Sequence, residues 1–163
     1  MRTATITFKL NGEDRTCETD ARSLLVETVR QLEAKGTRIG CLTGDCGACT
    51  MIMDGAPIKS CLTLSVAAVG ASLVTIEGLS TDLSEAVKSA FVARNGFQCG
   101  FCTSGMVIVA TDFLQRNQQP SEQEIRDAIA GNLCRCTGYD DIVAAIGDAA
   151  RALQEQRAEK PRA

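Results

Sequence analysis

Cysteine is the residue that can do chemistry in this chain, and its spacing says which chemistry. Eight of the nine cysteines fall into two sets. The first is Cys41-x4-Cys46-x2-Cys49-x11-Cys61, and the second is Cys99-x2-Cys102 followed by Cys134-x-Cys136. Four thiolates per set is the ligand count of one [2Fe–2S] cluster, and C-x4-C-x2-C with a distant fourth cysteine is an established spacing for one. The chain has no histidine. That excludes a Rieske centre and leaves only sulfur or oxygen donors for any metal. Two four-cysteine zinc sites are the rival reading, because zinc ribbons also use C-x-x-C pairs. Three cysteines in one short loop and a C-x-C pair fit that pattern less well. Cys17 stands outside both sets and is expected to be a small buried apolar residue in a strand.

The residues between the cysteines suit an anionic group. Two ferric ions, two sulfides and four thiolates sum to a charge of about −2, and one added electron makes about −3. Partial burial of that charge needs donors around it. Gly40, Gly44 and Gly47 interleave the first set, so backbone N–H groups can approach closely there. The second set relies on helix ends: Cys102 and Cys136 each stand shortly before a helical pattern, where free N–H groups and the positive end of the dipole lie.

Two kinds of element must position these sets. Ile6, Phe8 and Leu10 alternate with polar residues, the period of a half-buried strand. Asn11-Gly12 offers a tight turn, with residues 15–19 as the return strand. A helix follows, capped by Asp20 or Ser23, with Leu25, Val29 and Leu32 on one face and an end near Gly36. Residues 50–53 and 58–62 read as a second hairpin around Asp54-Gly55, and 72–76 as a last strand. Beyond Leu83 the pattern turns helical: residues 84–93, then a stripe of Met106, Val109, Ala110 and Phe113 on a helix ending near Asn117. Pro120 breaks the chain. Ser121-x-x-Glu124 is a capping box opening a helix with Ile125, Ala128 and Ile129. Asp140 or Asp141 opens the last, carrying Ile142, Ala145, Ile146, Ala149 and Leu153. The fold class expected is α+β, a β-grasp domain over residues 1–77 followed by an all-α four-helix bundle over 78–163. The charged tail, 155–163, is expected to fray.

Composition narrows the function. The chain has 163 residues with a net charge of −3, and no basic run stands out. Nucleic-acid binding therefore has little support. No segment approaches the roughly 18 apolar residues of a membrane span. The opening residues MRTATITFKLNG carry neither an apolar export segment nor a twin arginine, so a cytoplasmic setting is expected. There, cysteines serve as metal ligands rather than in disulfides. GNLCRCTGY lacks the Gly-Lys-Ser/Thr element of a phosphate loop.

Three signatures carry a specific resemblance: GCLTGDCGACT (40–50), QCGFCTSG (98–105) and GNLCRCTGYDDI (131–142). They resemble those of the small iron–sulfur subunit of the molybdenum hydroxylases, the family of xanthine dehydrogenase, aldehyde oxidase and carbon monoxide dehydrogenase. The resemblance spans roughly residues 3–153. It implies a plant-type ferredoxin-like domain holding an outer cluster on Cys41, Cys46, Cys49 and Cys61. It implies an inner cluster on Cys99, Cys102, Cys134 and Cys136. It further implies that Gln98 and Cys136 approach a molybdopterin cofactor held by a large partner subunit. Electrons would pass from there through both clusters to FAD on a medium subunit of a heterotrimer, or to a cytochrome. The resemblance leaves N-heteroaromatic rings, aldehydes, carbon monoxide and aryl-CoA thioesters open as substrates, and family frequency leads to the expectation of an N-heteroaromatic compound or an aldehyde. One residue departs from the family pattern: Ser104 stands where proline is usual, and its hydroxyl is expected to cap the helix instead.

Two other classes of function compete. A free-standing ferredoxin-like shuttle would need neither Gln98 nor a second domain. A zinc-bound interaction module would be colourless and free of iron. No histidine, nucleophile–base pair or acid pair lies near a motif, so no catalytic residue is expected on this chain.

Overall fold

The alternation of Ile6, Phe8 and Leu10 puts these three side chains on the covered face of β1 (Thr3–Leu10). Asn11 and Gly12 both take positive φ, 54° and 86°, as a two-residue turn with the right twist requires. β2 (Glu13–Asp20) returns antiparallel, pairing Leu10 with Glu13 through to Thr3 with Asp20, and so is longer than residues 15–19. The computed structural model describes residues 3–159, an α+β arrangement with a five-stranded sheet and five α-helices among them.

The first helix, α1 (Leu25–Gln31), lays Leu25 and Val29 against Ile6, Phe8, Met51 and Leu73. Each such buried side chain contributes roughly 1.5–3 kcal/mol. Neither expected cap is used. Leu24 precedes the first turn, and its N–H donates to the Glu27 carboxylate at 2.9 Å. Asp20 is taken by the amide and guanidinium of Arg22. The helix stops at Leu32, short of Gly36, because Glu33 turns left-handed at φ 69°.

β3 (Thr50–Met53) and β4 (Ala56–Lys59) form the second hairpin, turning through Asp54 and Gly55. The second strand starts earlier than residue 58 and does not reach 62. Residues Ser60–Leu62 wind into a 3₁₀ turn instead. The Ser60 hydroxyl donates to the Cys49 carbonyl at 2.7 Å, which draws the chain back toward the cysteine loop. β5 (Ser72–Val74) runs parallel to β1 and antiparallel to β3, giving the order β2-β1-β5-β3-β4. It ends before residue 76 because the Thr75 amide leaves the ladder for Asn11 Oδ1 at 2.9 Å.

Four helices follow. α2 (Asp82–Ala93) begins two residues early, capped by Thr81, whose hydroxyl accepts from Ser84 N–H. It packs against α3 (Thr103–Arg116) and α5 (Asp140–Glu159), while α4 (Glu122–Ile129) packs against α3 and α5. The Ser121–Glu124 capping box forms as expected. On α3 the expected stripe is only half right. Met106 and Ala110 are buried, but Val109 and Phe113 are half-exposed, and Val107, Ile108, Thr111 and Leu114 are covered instead. The reason is that α3 also lies on β3 and β4, so it is enclosed on more than one side. Of the expected frayed tail, residues up to Glu159 continue α5, and 160–163 lie outside the described residues, as do 1 and 2. No helix among the described residues is long and apolar enough to cross a membrane.

Candidate iron–sulfur centres

The first cysteine set hangs on one loop between α1 and β3. Amides of Thr43 and Cys46 both point at Cys41 Sγ, at 3.4 Å each. The Thr43 side chain beside it, with those amides, holds the Cys41 thiol down at about 5. Amides aimed at a thiolate are what anionic ligation needs. Cys49 and Cys61 lie together, both buried against Val26 and Leu24. Burial, then the neighbouring Cys49, pushes Cys61 up to about 11. Binding a metal there must strip that proton, so the deprotonation is linked to metal uptake.

Of the three interleaved glycines, two matter most. A Cβ on Gly40 would stand 2.7 Å from Cys46 Sγ, so only glycine leaves the sulfur its place. Gly47 takes φ +70°, and a Cβ there would meet Asn132 Oδ1 at 2.4 Å and the Gly131 carbonyl at 2.6 Å. Leu42 also takes positive φ, 61°, which no sequence signal announced.

The second set closes from two segments. Cys136 Sγ and Cys99 Sγ are 3.5 Å apart and exposed. Cys102 is buried at the start of α3, and burial followed by its neighbour Cys134 pushes it up to about 12. Burial also pushes Cys134 up, but the Thr137 hydroxyl at 3.1 Å and nearby amides outweigh it and leave that thiol lowered. Tyr139 accepts the Cys134 N–H on its hydroxyl at 2.8 Å, fixing the backbone at the ligand. The expectation of two helix ends is half met. Cys102 sits at the N-cap of α3, but residues 137–139 separate Cys136 from α5, beyond the reach of a dipole effect confined to the first turn. Ser104 does not cap: Cys102 holds the cap position, and the Ser104 and Thr103 hydroxyls are buried without a partner.

Within each set the sulfurs lie near one another: Cys61 near Cys49 and Cys41, Cys102 near Cys134 and Cys99, and Cys136 Sγ 3.5 Å from Cys99 Sγ. Among the described residues no group of three or more His, Cys, Asp or Glu side chains is placed to hold a metal ion. Cys17 lies elsewhere, on edge strand β2 opposite Ile6. It is half-buried rather than buried, and burial raises its thiol. Gln98 is exposed between Phe97 and Cys99 in the chain, Phe97 is exposed too, and the exposed Phe101 ring lies near Gly40 of the first loop.

The two sets touch through backbone. Leu133 N–H donates to the Cys46 carbonyl at 2.9 Å, Asn132 Nδ2 to the Gly47 carbonyl at 3.2 Å, and Lys59 Nζ to the Gly131 carbonyl. Sequence reasoning missed Lys59, Asn132, Leu133 and Tyr139. Asn132 and Leu133 stood inside a quoted motif, but nothing local says that they reach across to the first loop.

Residues 8–71 match the family described as a 2Fe-2S iron-sulfur cluster binding domain, and residues 75–147 match the [2Fe-2S] binding domain family. The chain is similar to the nicotine 6-hydroxylase small subunit of Paenarthrobacter nicotinovorans, 44% identical over 145 residues, covering 88% of each chain. It is 42% identical over 151 residues to caffeine dehydrogenase subunit gamma of Pseudomonas sp. (strain CBB1), covering 90% of each. The crystal structure of quinoline 2-oxidoreductase from Pseudomonas putida 86 contains a similar chain, with a TM-score of 0.88 and 43% identity over 98% of this chain and all of that one. Fold and site therefore define a protein of two [2Fe–2S]-binding domains. The chain belongs to the family of iron–sulfur small subunits of the molybdenum hydroxylases. It is an electron-transfer subunit of an oxidoreductase whose substrate chemistry resides on partner subunits.

Proposed function

We propose that Cys41, Cys46, Cys49 and Cys61 hold the outer [2Fe–2S] cluster and Cys99, Cys102, Cys134 and Cys136 the inner one. On this reading, residues 1–77 are a β-grasp domain and 78–163 a four-helix bundle. The cysteine spacing, with each set of four sulfurs gathered by the fold, carries the assignment. The Gly40 cradle and the amides on Cys41 fit the same group. Bound there, the clusters supply one-electron uptake and release. The chain's own residues hold them in place, shield them and set the order in which they meet partners. Elemental analysis of anaerobically purified protein should find about four iron and four sulfide per chain, from eight thiolates shared by two clusters. Stoichiometric zinc with little iron would reverse the assignment.

Gln98 and Cys136 are the proposed contacts to a molybdopterin cofactor on a large subunit. Support comes from their exposure and from the exposed apolar residues next to the inner set in the chain, Phe97 before Gln98 and Leu133 before Cys134. Exposed apolar residues gathered at one place suit a partner surface. Leu42, Leu62 and Leu64 are exposed next to the outer set in the chain, which suits a medium subunit carrying FAD, or a cytochrome in its place. The proposed substrate class is N-heteroaromatic, since nicotine, caffeine and quinoline in the relatives' names all contain such rings; an aldehyde is the second reading, from the name of another relative. Gln98→Ala should retain full iron content yet slow the bleaching of cluster absorbance after rapid mixing of the complex with substrate, by threefold or more. Unchanged bleaching with normal assembly would remove Gln98 from the cofactor junction.

A further inference from the structure

Lys59 stands where the two cysteine sets approach each other. It precedes Cys61 by two positions, and its ammonium crosses the junction to the carbonyl of Gly131, three positions before Cys134. It is half-buried, and among the described residues it makes no ion pair. The groove it borders, about 500 Å³, also holds Asp112, Glu124, Asp127 and Arg116. Those carboxylates are engaged elsewhere: Asp112 by Arg116, Glu124 by Ser121 and Asn117, Asp127 by Gln123.

We propose that Lys59 is a positioning residue for electron passage between the two clusters, its fixed positive charge stabilising the reduced state of the cluster on each side. The inference rests on the cluster assignment above. Its physics is simple: each cluster gains about one unit of negative charge on reduction, so a cation at the junction favours the reduced form. The same contact braces the geometry. With Asn132 on Gly47 and Leu133 on Cys46, it fixes the segment 131–133 against the first loop.

Charge and bracing separate by mutation. Lys59→Met keeps most of the stem and loses the charge; Lys59→Arg keeps the charge; Asn132→Ala loosens the junction with no change of charge. Each is made in the full chain within its complex. Iron content is measured first, then both cluster potentials by redox titration followed by electron paramagnetic resonance. Lys59→Met should retain its iron and make at least one cluster harder to reduce. The one-electron equilibrium should move threefold or more, about 30 mV at about 59 mV per tenfold. Lys59→Arg should restore the potential, and Asn132→Ala should leave both potentials in place. Unmoved potentials in iron-replete Lys59→Met, or a shift that Lys59→Arg fails to restore, would overturn the proposal while leaving the cluster assignment intact. Absence of iron from the unmodified protein would overturn the assignment, and this inference with it.

Discussion

Gly47→Ala is expected to destabilise the protein by about 3 kcal/mol or more, a loss in the range of a disrupted core. Two costs add. Gly47 takes φ +70°, a left-handed conformation that costs roughly 1–2 kcal/mol for a residue with a Cβ. The Cβ itself would stand 2.4 Å from Asn132 Oδ1 and 2.6 Å from the Gly131 carbonyl. Neither neighbour can swing aside. Asn132 is 3% exposed and committed to the Gly47 carbonyl, and Gly131 contributes backbone. Relief therefore comes only by parting the first cysteine loop from segment 131–133, which breaks the Leu133–Cys46 hydrogen bond as well. Gly12→Ala is the control. Its φ of +86° is equally left-handed, but nothing lies within 4 Å of a Cβ there, so only the conformational cost of about 1–2 kcal/mol applies. Anaerobic thermal unfolding of both variants measures the difference. Equal melting temperatures would mean that the junction at Gly47 carries no stability of its own.

The same junction marks where the sequence stops being legible. Strand β1 could be read because alternation of Ile6, Phe8 and Leu10 is a local signal, and the Asn11-Gly12 turn because its backbone demands are local too. The α4 cap was legible for the same reason: Ser121 and Glu124 satisfy each other within one turn. The misread ends were decided by distant partners. Residues 60–62 curl because Ser60 bonds to Cys49, and β5 stops because Thr75 bonds to Asn11. Helix α3 defeated its stripe because it is covered by the sheet as well as by helices, so no single face marks its core. The site divides likewise. Thiolate number and spacing named the ligand candidates, because coordination chemistry is tied to residue type. Lys59, Asn132 and Tyr139 are ordinary residues whose role comes from what the fold sets beside them. Ser104 shows a limit of local chemistry: serine is a good cap in general, yet Cys102 already holds that position.

Cys102→Ser should abolish the inner site alone, lowering iron from about four to about two per chain, because a two-iron cluster left with three of its four thiolates is lost whole. Acceptor reduction by the complex should fall by about a hundredfold or more, because the two sites act in series. Serine offers a hard oxygen in place of a soft thiolate, a poor exchange at an iron–sulfur site. Folding damage is not the expected cause. Cys102 starts α3 with helical φ and ψ and no side-chain cap hydrogen bond, and serine, close to cysteine in size, can take the same backbone. The variant thus removes a ligand while keeping the helix start. The outer set, with Cys49 and Cys61 packed against Val26 and Leu24, shares none of these contacts and should keep its iron. Mixed with substrate, the Cys102→Ser complex should show no bleaching of the outer cluster, since no carrier connects it to the substrate site. Chemical reduction should still bleach it. Cys17→Ser is the paired control, a half-buried thiol on edge strand β2 with no partner among the other cysteines. Its iron content and turnover should match the unmodified protein. Four iron in Cys102→Ser would sink the ligand assignment, and iron lost from Cys17→Ser would sink the division of the cysteines into two sets of four.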